Sequence, residues 1–162
     1  KNDILVYDLN PDFVKQEGYT LANSENDVFE SSEILFLAIK PQTFLEVIEK
    51  LKKSIKTPKL IVSIAAGITL DYLKDNLGNY KYIRVMPNTS VSIAEGASTM
   101  AIGYNVLQEE TEEVKKIFDS LGSCEIVDEK LINVLLPLNG SYPAYFYYFV
   151  RAFIKWTDKF IL

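Results

Sequence analysis

The side chains best placed for chemistry are Pro87, Asn88 and Thr89, at the end of the short apolar run Ile83, Val85 and Met86. Pro87 has no N–H and a fixed φ, so the strand predicted by this run cannot simply continue, and two polar side chains follow at once. Open α/β sheets bind ligands at the ends of their strands, and an amide and a hydroxyl there can hydrogen-bond a small polar molecule. Gly96 closes the stretch (residues 83–96, IRVMPNTSVSIAEG) and permits a tight backbone path. On spacing alone, a strand followed by an ordinary polar turn is the default reading.

The rest of the chain repeats the pattern of a strand ending in small or polar residues. Residues 4–7 predict a short strand, followed by Asp8, Leu9, Asn10 and Pro11, and a proline after a polar cap starts a helix. Asp8 and Asn10 read either as turn and cap or as contacts to a nucleotide ribose. In the second case an acid accepts from a free 2′-hydroxyl, whereas a 2′-phosphate prefers cationic or neutral donors. Residues 34–39, ILFLAI, are continuously apolar and predict a strand covered on both faces, ended by Lys40, Pro41 and Gln42. Residues 60–64 predict another buried strand, and the small residues Ala65, Ala66 and Gly67 after it allow close approach by a ligand or by the next helix.

Helices must position these ends. A short polar-led helix is expected from Glu25 to Ser31, and Phe44, Val47, Ile48, Leu51 and Ile55 fall at helical spacing, with Thr57 and Pro58 as the break. Thr69 caps a third helix, closed by Gly78. Residues 98–102 alternate weakly and predict an edge strand. Residues 108–121 form an amphipathic helix with acids at its N-terminal end, residues 124–127 a last strand, and Asp128 starts a helix through Ile132 to Leu136. The expected fold class is therefore α/β, Rossmann-like and doubly wound, with a mostly parallel sheet.

Composition narrows the function. A chain of 162 residues that is 48% hydrophobic can bury a real core. A net charge of -5 without a clustered basic face argues against a nucleic-acid partner. The absence of histidine removes the commonest metal ligand and general base, so no metal site is expected. A single cysteine, Cys124, excludes an internal disulfide; with no cation or second cysteine beside it, it reads as a small buried hydrophobe. No secretory leader is evident, and a cytoplasmic location is expected. From Asn139 onward aromatics concentrate, with Phe146, Phe149, Phe153, Trp156 and Phe160 at helical spacing. Arg151, Lys155, Asp158 and Lys159 argue against a membrane span, which needs about 20 mostly apolar residues. Aromatics on more than one face of this helix call for a partner.

Four stretches, in this order, resemble pyrroline-5-carboxylate reductases: FLAIKPQ at 36–42, IVSIAAGIT at 61–69, RVMPNT at 84–89 with EGAS at 95–98, and NGSYPAY at 139–145. The resemblance implies reduction of the cyclic imine 1-pyrroline-5-carboxylate to L-proline with NADPH or NADH. It implies that Asn10 meets the ribose or its phosphate, that Ile39, Lys40 and Pro41 line the cofactor, and that Ala66 and Gly67 lie on the cofactor side. Pro87, Asn88 and Thr89 are then the substrate- and nicotinamide-facing wall, and Ser141 orients the substrate carboxylate. It also implies a Rossmann-like domain at residues 1–127, then the start of an all-helical dimerisation domain at 128–162, giving a homodimer or higher homo-oligomer.

The chain departs from the family pattern in several places. Glu25 stands where the family usually carries an asparagine, and an added negative charge there opposes a 2′-phosphate. The family's S-G-S-G-P-A-Y has Asn139 and Tyr142 at its first and fourth positions here. No G-x-G-x-x-G precedes residues 4–7, so an N-terminally truncated fragment is expected; the proton donor, usually a threonine of the helical domain, is expected beyond residue 162. Two other readings stay open: another reductase of the superfamily, such as a coenzyme-F420-linked NADP oxidoreductase, and a non-catalytic dimerising module. A hydroxyacid dehydrogenase would need a lysine that residues 139–150 lack.

Overall fold

The computed structural model describes residues 4–10, 12, 19–54 and 59–159. The helix expected after Pro11, together with Ile55, the break at Thr57 and Pro58, and Phe160, falls outside the described residues. Two compact units are distinguished, Lys1–Ile83 with Gly103–Val106, and Arg84–Ile102 with Leu107–Leu162.

In the first unit, β1 (Ile4–Val6) and β2 (Tyr19–Leu21) pair in parallel, with Leu5 opposite Thr20. Helix α1 (Glu25–Ser31) starts at a capping box in which Ser24 accepts from the Asp27 N–H and Asp27 accepts from the Ser24 N–H. Strand β3 (Ile34–Leu37) is parallel to β4 (Leu60–Ser63), with Phe36 opposite Val62. Between them α2 (Pro41–Ser54) buries Phe44, Ile48 and Leu51, the predicted apolar face of the crossover helix. Helix α3 (Leu70–Leu77) is capped by Thr69 and ends at Gly78 with φ 95°; Tyr72 meets Phe44 edge-on at 6.3 Å. Strand β5 (Lys81–Met86) begins in this unit and finishes in the second.

In the second unit, a 3-10 turn (Thr89–Ile93) leads into β6 (Gly96–Ile102), which pairs in parallel with β7 (Gly122–Ile126). The two strands meet at a glycine pair. Gly122 has φ 138°, and a Cβ there would sit 2.0 Å from the Gly96 carbonyl oxygen. Helix α4 (Gln108–Asp119) buries Val114 and Phe118, and α5 (Glu129–Asn139) buries Ile132. Helix α6 (Tyr142–Thr157) has no buried residue.

The hydrogen-bonded strand order is β3-β4-β5-β6-β7, with β1-β2 as a separate pair. The α/β class and the mostly parallel sheet agree with the sequence reading, and β4 is buried along its whole length. Three local expectations are corrected. Strand β3 stops at Leu37 and exposes Phe36, so it alternates instead of being covered on both faces. Strand β6 is interior in the order and β7 takes the edge, because the seven-residue β6 bonds on both sides. Helix α5 runs through Pro137 as far as Asn139, so the final helix starts only at Tyr142.

Candidate functional site

Each unit carries its own set of the predicted residues. In the first, parallel pairing puts the C-terminal ends of β3 and β4 side by side, so Ile39, Lys40 and Pro41 share one sheet edge with Ala66 and Gly67. Pro41 is the first residue of α2, where its missing N–H costs nothing, and the Lys40 carbonyl accepts from the Thr43 N–H at 3.1 Å. The Lys40 side chain is exposed, Ile39 is half-buried, and Ala66 and Gly67 are exposed. Gly67 has φ 78°, which favours glycine, and the space beside its Cα is open. The rim therefore offers bare backbone, open room and one cation, a donor set that fits the sugar and phosphate of a dinucleotide.

Asn10 sits on an exposed turn. Its N–H donates to Asp8 Oδ1 at 2.7 Å, and its own Oδ1 accepts from the Asp12 N–H at 3.1 Å. Both residues thus serve the turn. Glu25 is ion-paired to Lys50 at 2.6 Å, and this hydrogen bond lowers its pKa below the ordinary carboxylate value. Its charge is therefore matched within the unit. Lys59 is buried with its ammonium on the Glu30 and Ser32 carbonyls, and burial lowers its pKa.

In the second unit, Asn88 is the cap of the 3-10 turn. Its Oδ1 accepts from the Ser90 N–H at 3.1 Å and the Ala97 N–H at 3.3 Å, and its Nδ2 donates to the Asn139 carbonyl at 2.9 Å. Asn139 Nδ2 donates to the Met86 carbonyl at 3.3 Å and to Thr99 Oγ1 at 3.4 Å. Pro87 is half-buried and Thr89 exposed. Ser141 is half-buried at the start of α6, and its hydroxyl makes no capping bond to that helix. The Asn88 turn and the α5–α6 junction are thus brought together.

The sequence reading missed Asn139 as a partner of Asn88, since 51 residues separate them and no local period links them. It also missed Arg84, which is only 2% exposed and bonds Glu129 Oε1 and Asn133 Oδ1 at 3.1 Å each. Cys124 is buried as expected, and burial pushes its thiol up to about 11. Among the described residues no group of three or more His, Cys, Asp or Glu is placed to hold a metal, and no helix is long and apolar enough to cross a membrane.

Comparison with known proteins places these residues in context. The family "NADP oxidoreductase coenzyme F420-dependent" matches residues 4–67. Pyrroline-5-carboxylate reductase of Pisum sativum is 36% identical over 135 residues, covering 83% of this chain and 50% of the relative. The Escherichia coli K12 enzyme of the same name is 36% identical over 154 residues, covering 92% of this chain and 57% of its own. The crystal structure of Plasmodium falciparum pyrroline carboxylate reductase with NADP bound superposes with a TM-score of 0.87 at 26% identity, covering 98% of this chain and 59% of that one. The chain thus spans about half the length of the curated relatives it matches.

Proposed function

The chain belongs to the pyrroline-5-carboxylate reductase family, and we propose from that premise that it carries part of an NAD(P)H-dependent reductase converting 1-pyrroline-5-carboxylate to L-proline. The observation that carries the reading is the polar turn at Asn88, held by backbone donors and by the α5–α6 junction. We assign residues 1–127 to the dinucleotide-binding part and 128–162 to the start of the helical part.

The NADPH or NADH of this reading supplies the hydride that reduces the imine carbon. Ile39, Lys40, Pro41, Ala66 and Gly67 hold it at the rim of the first unit, with Lys40 near phosphate. Asn10 stands by the ribose. Its side-chain oxygen is already engaged with Asp12, which leaves the amide hydrogens for that contact. In the second unit, Pro87, Asn88 and Thr89 face the reacting groups and restrict their approach, and the Ser141 hydroxyl binds the substrate carboxylate. No side chain of the chain is assigned the proton transfer to nitrogen.

Aromatic side chains cover α6 on several faces, and Tyr148, Tyr147 and Trp156 are each more than 60% exposed. A homodimer or larger homo-oligomer formed through the C-terminal helices accounts for them. The same reading puts the protein in the cytoplasm.

Binding of the cofactor tests the assignment without depending on turnover. Titrating NADPH and NADH into the chain and following nicotinamide fluorescence should give saturable binding, weakened severalfold by Lys40→Glu. Absence of saturation by either cofactor at millimolar concentration would contradict the reading.

A further inference from the structure

Asn139 occupies the first position of the stretch NGSYPAY, where the family pattern has serine, and it makes more of that position than a hydroxyl can. Two N–H groups of one amide reach two acceptors, the Met86 carbonyl and Thr99 Oγ1, while the Asn139 main-chain carbonyl takes the Asn88 amide. The orientations of both amides are chemically forced. The Ser90 and Ala97 N–H groups can only donate, so Asn88 must turn its oxygen to them; the Met86 carbonyl can only accept, so Asn139 must turn its nitrogen to it.

Two consequences follow from counting bonds. Both acceptor directions of Asn88 are filled and one amide hydrogen is used, so one N–H is left, in a plane pinned by three hydrogen bonds. Asn139 Oδ1 is buried without a hydrogen-bond partner, an arrangement that costs stability wherever it occurs. An alanine at this position would bury no such oxygen, and a serine hydroxyl could donate to the Met86 carbonyl as well as accept.

We propose that Asn139 is a positioning residue, acting through Asn88 to aim that remaining N–H at a planar oxygen acceptor of the bound reactants. The acceptor is either the substrate carboxylate or the carboxamide oxygen of the nicotinamide. This rests on the reductase reading of the same turn. Met86 ends β5 and Thr99 lies within β6, so the Asn139 side chain holds both sides of the turn that bears Asn88.

The test uses the ¹⁵N-labelled 162-residue chain, with the Asn88 side-chain amide assigned by its disappearance in Asn88→Asp. That variant keeps an oxygen for the Ser90 and Ala97 N–H groups, loses the donor and sets a carboxylate oxygen against the Asn139 carbonyl. L-proline supplies the carboxylate and nicotinamide mononucleotide the carboxamide, added separately. One of the two should shift the Asn88 amide in the wild type. Asn139→Ala should weaken that ligand's binding about tenfold, as expected for one lost hydrogen bond, and speed exchange of the Asn88 amide hydrogens. Asn88→Asp should abolish the tighter binding, with backbone shifts confined to the Asn88 turn and the α5–α6 junction, where the amide hydrogen bond to the Asn139 carbonyl is lost. Wild-type affinity in either variant overturns the proposal, as does an Asn88 amide that neither ligand perturbs. If the chain forms L-proline from the imine with an unperturbed Asn88, the proposal falls and the reaction stands; if it forms none and binds no cofactor, both fall.

Discussion

Arg84 carries a full charge into the interior, and its energetics depend on which partner is removed. Its guanidinium meets Glu129 and Asn133, while its Nε has no partner. Glu129 is about a quarter exposed, so it can be resolvated when the arginine is lost; Arg84, at 2%, cannot. Glu129→Ala should therefore cost about 2–3 kcal/mol, more than Arg84→Met, because a buried charge stripped of its counter-charge is worse than none. Urea unfolding of the two variants checks the order. The acid limb of stability also has a residue-level origin. Lys50 holds the Glu25 pKa below its ordinary value of 4.5, and Lys115 lowers that of Asp119 from 3.8. A depressed carboxylate contributes stability above its unfolded-state pKa and loses it as pH falls through the folded value. Lys50→Met should therefore lower the urea midpoint at pH 7, and the gap to wild type should narrow as pH falls below the ordinary value of 4.5 and close once it has passed the lowered folded value. A gap unchanged down to pH 2 would rule out the ion pair as its source. Charges of this kind are hard to foresee, since Arg84 and Lys59 find their carbonyl, carboxylate and amide partners only through the fold.

Elements set by local pattern were legible in the sequence. The starts of α3 and α5 at Thr69 and Asp128 and the apolar stripe of α2 are encoded within a few residues of where they act. Pairings between distant elements were not. Nothing near residue 98 tells β6 that β7 will lie outside it, and nothing near Asn139 announces Asn88. Pro137 similarly hid the true length of α5, because a helix is expected to end before a proline and here one more residue pair follows it. The Gly96 and Gly122 contact is an element-level constraint, as it lets β6 and β7 begin in register. Gly122→Ala brings a Cβ to 2.0 Å from the Gly96 carbonyl oxygen and forces alanine to φ 138°. We expect a loss of about 2–5 kcal/mol from strain and overpacking together. Gly67→Ala, with the same kind of φ but open space, should cost only about 1–2 kcal/mol. Thermal unfolding of the pair separates crowding from backbone strain.

At the scale of the whole molecule, the family's motifs are divided between two units, FLAIKPQ and IVSIAAGIT on one and the Asn88 turn on the other. Helix α6 leaves its aromatics to solvent, so sedimentation should reveal a dimer or larger species that dissociates in the variant with Phe149, Phe153 and Trp156 replaced by serine. A monomer at all concentrations would contradict the assembly reading. The candidate site was legible as motif wording, but how its members are held required the long-range bonds of Asn139. The most direct test of the central claim is L-proline formation from 1-pyrroline-5-carboxylate by the 162-residue chain with NADPH or NADH. We predict proline that depends on both reactants, at a catalytic efficiency at least about a hundredfold below that of the complete relatives, as expected of a partly assembled site. No proline at any enzyme concentration would contradict the assigned reaction, and turnover equal to the complete relatives would contradict the claim that these residues form only part of the site.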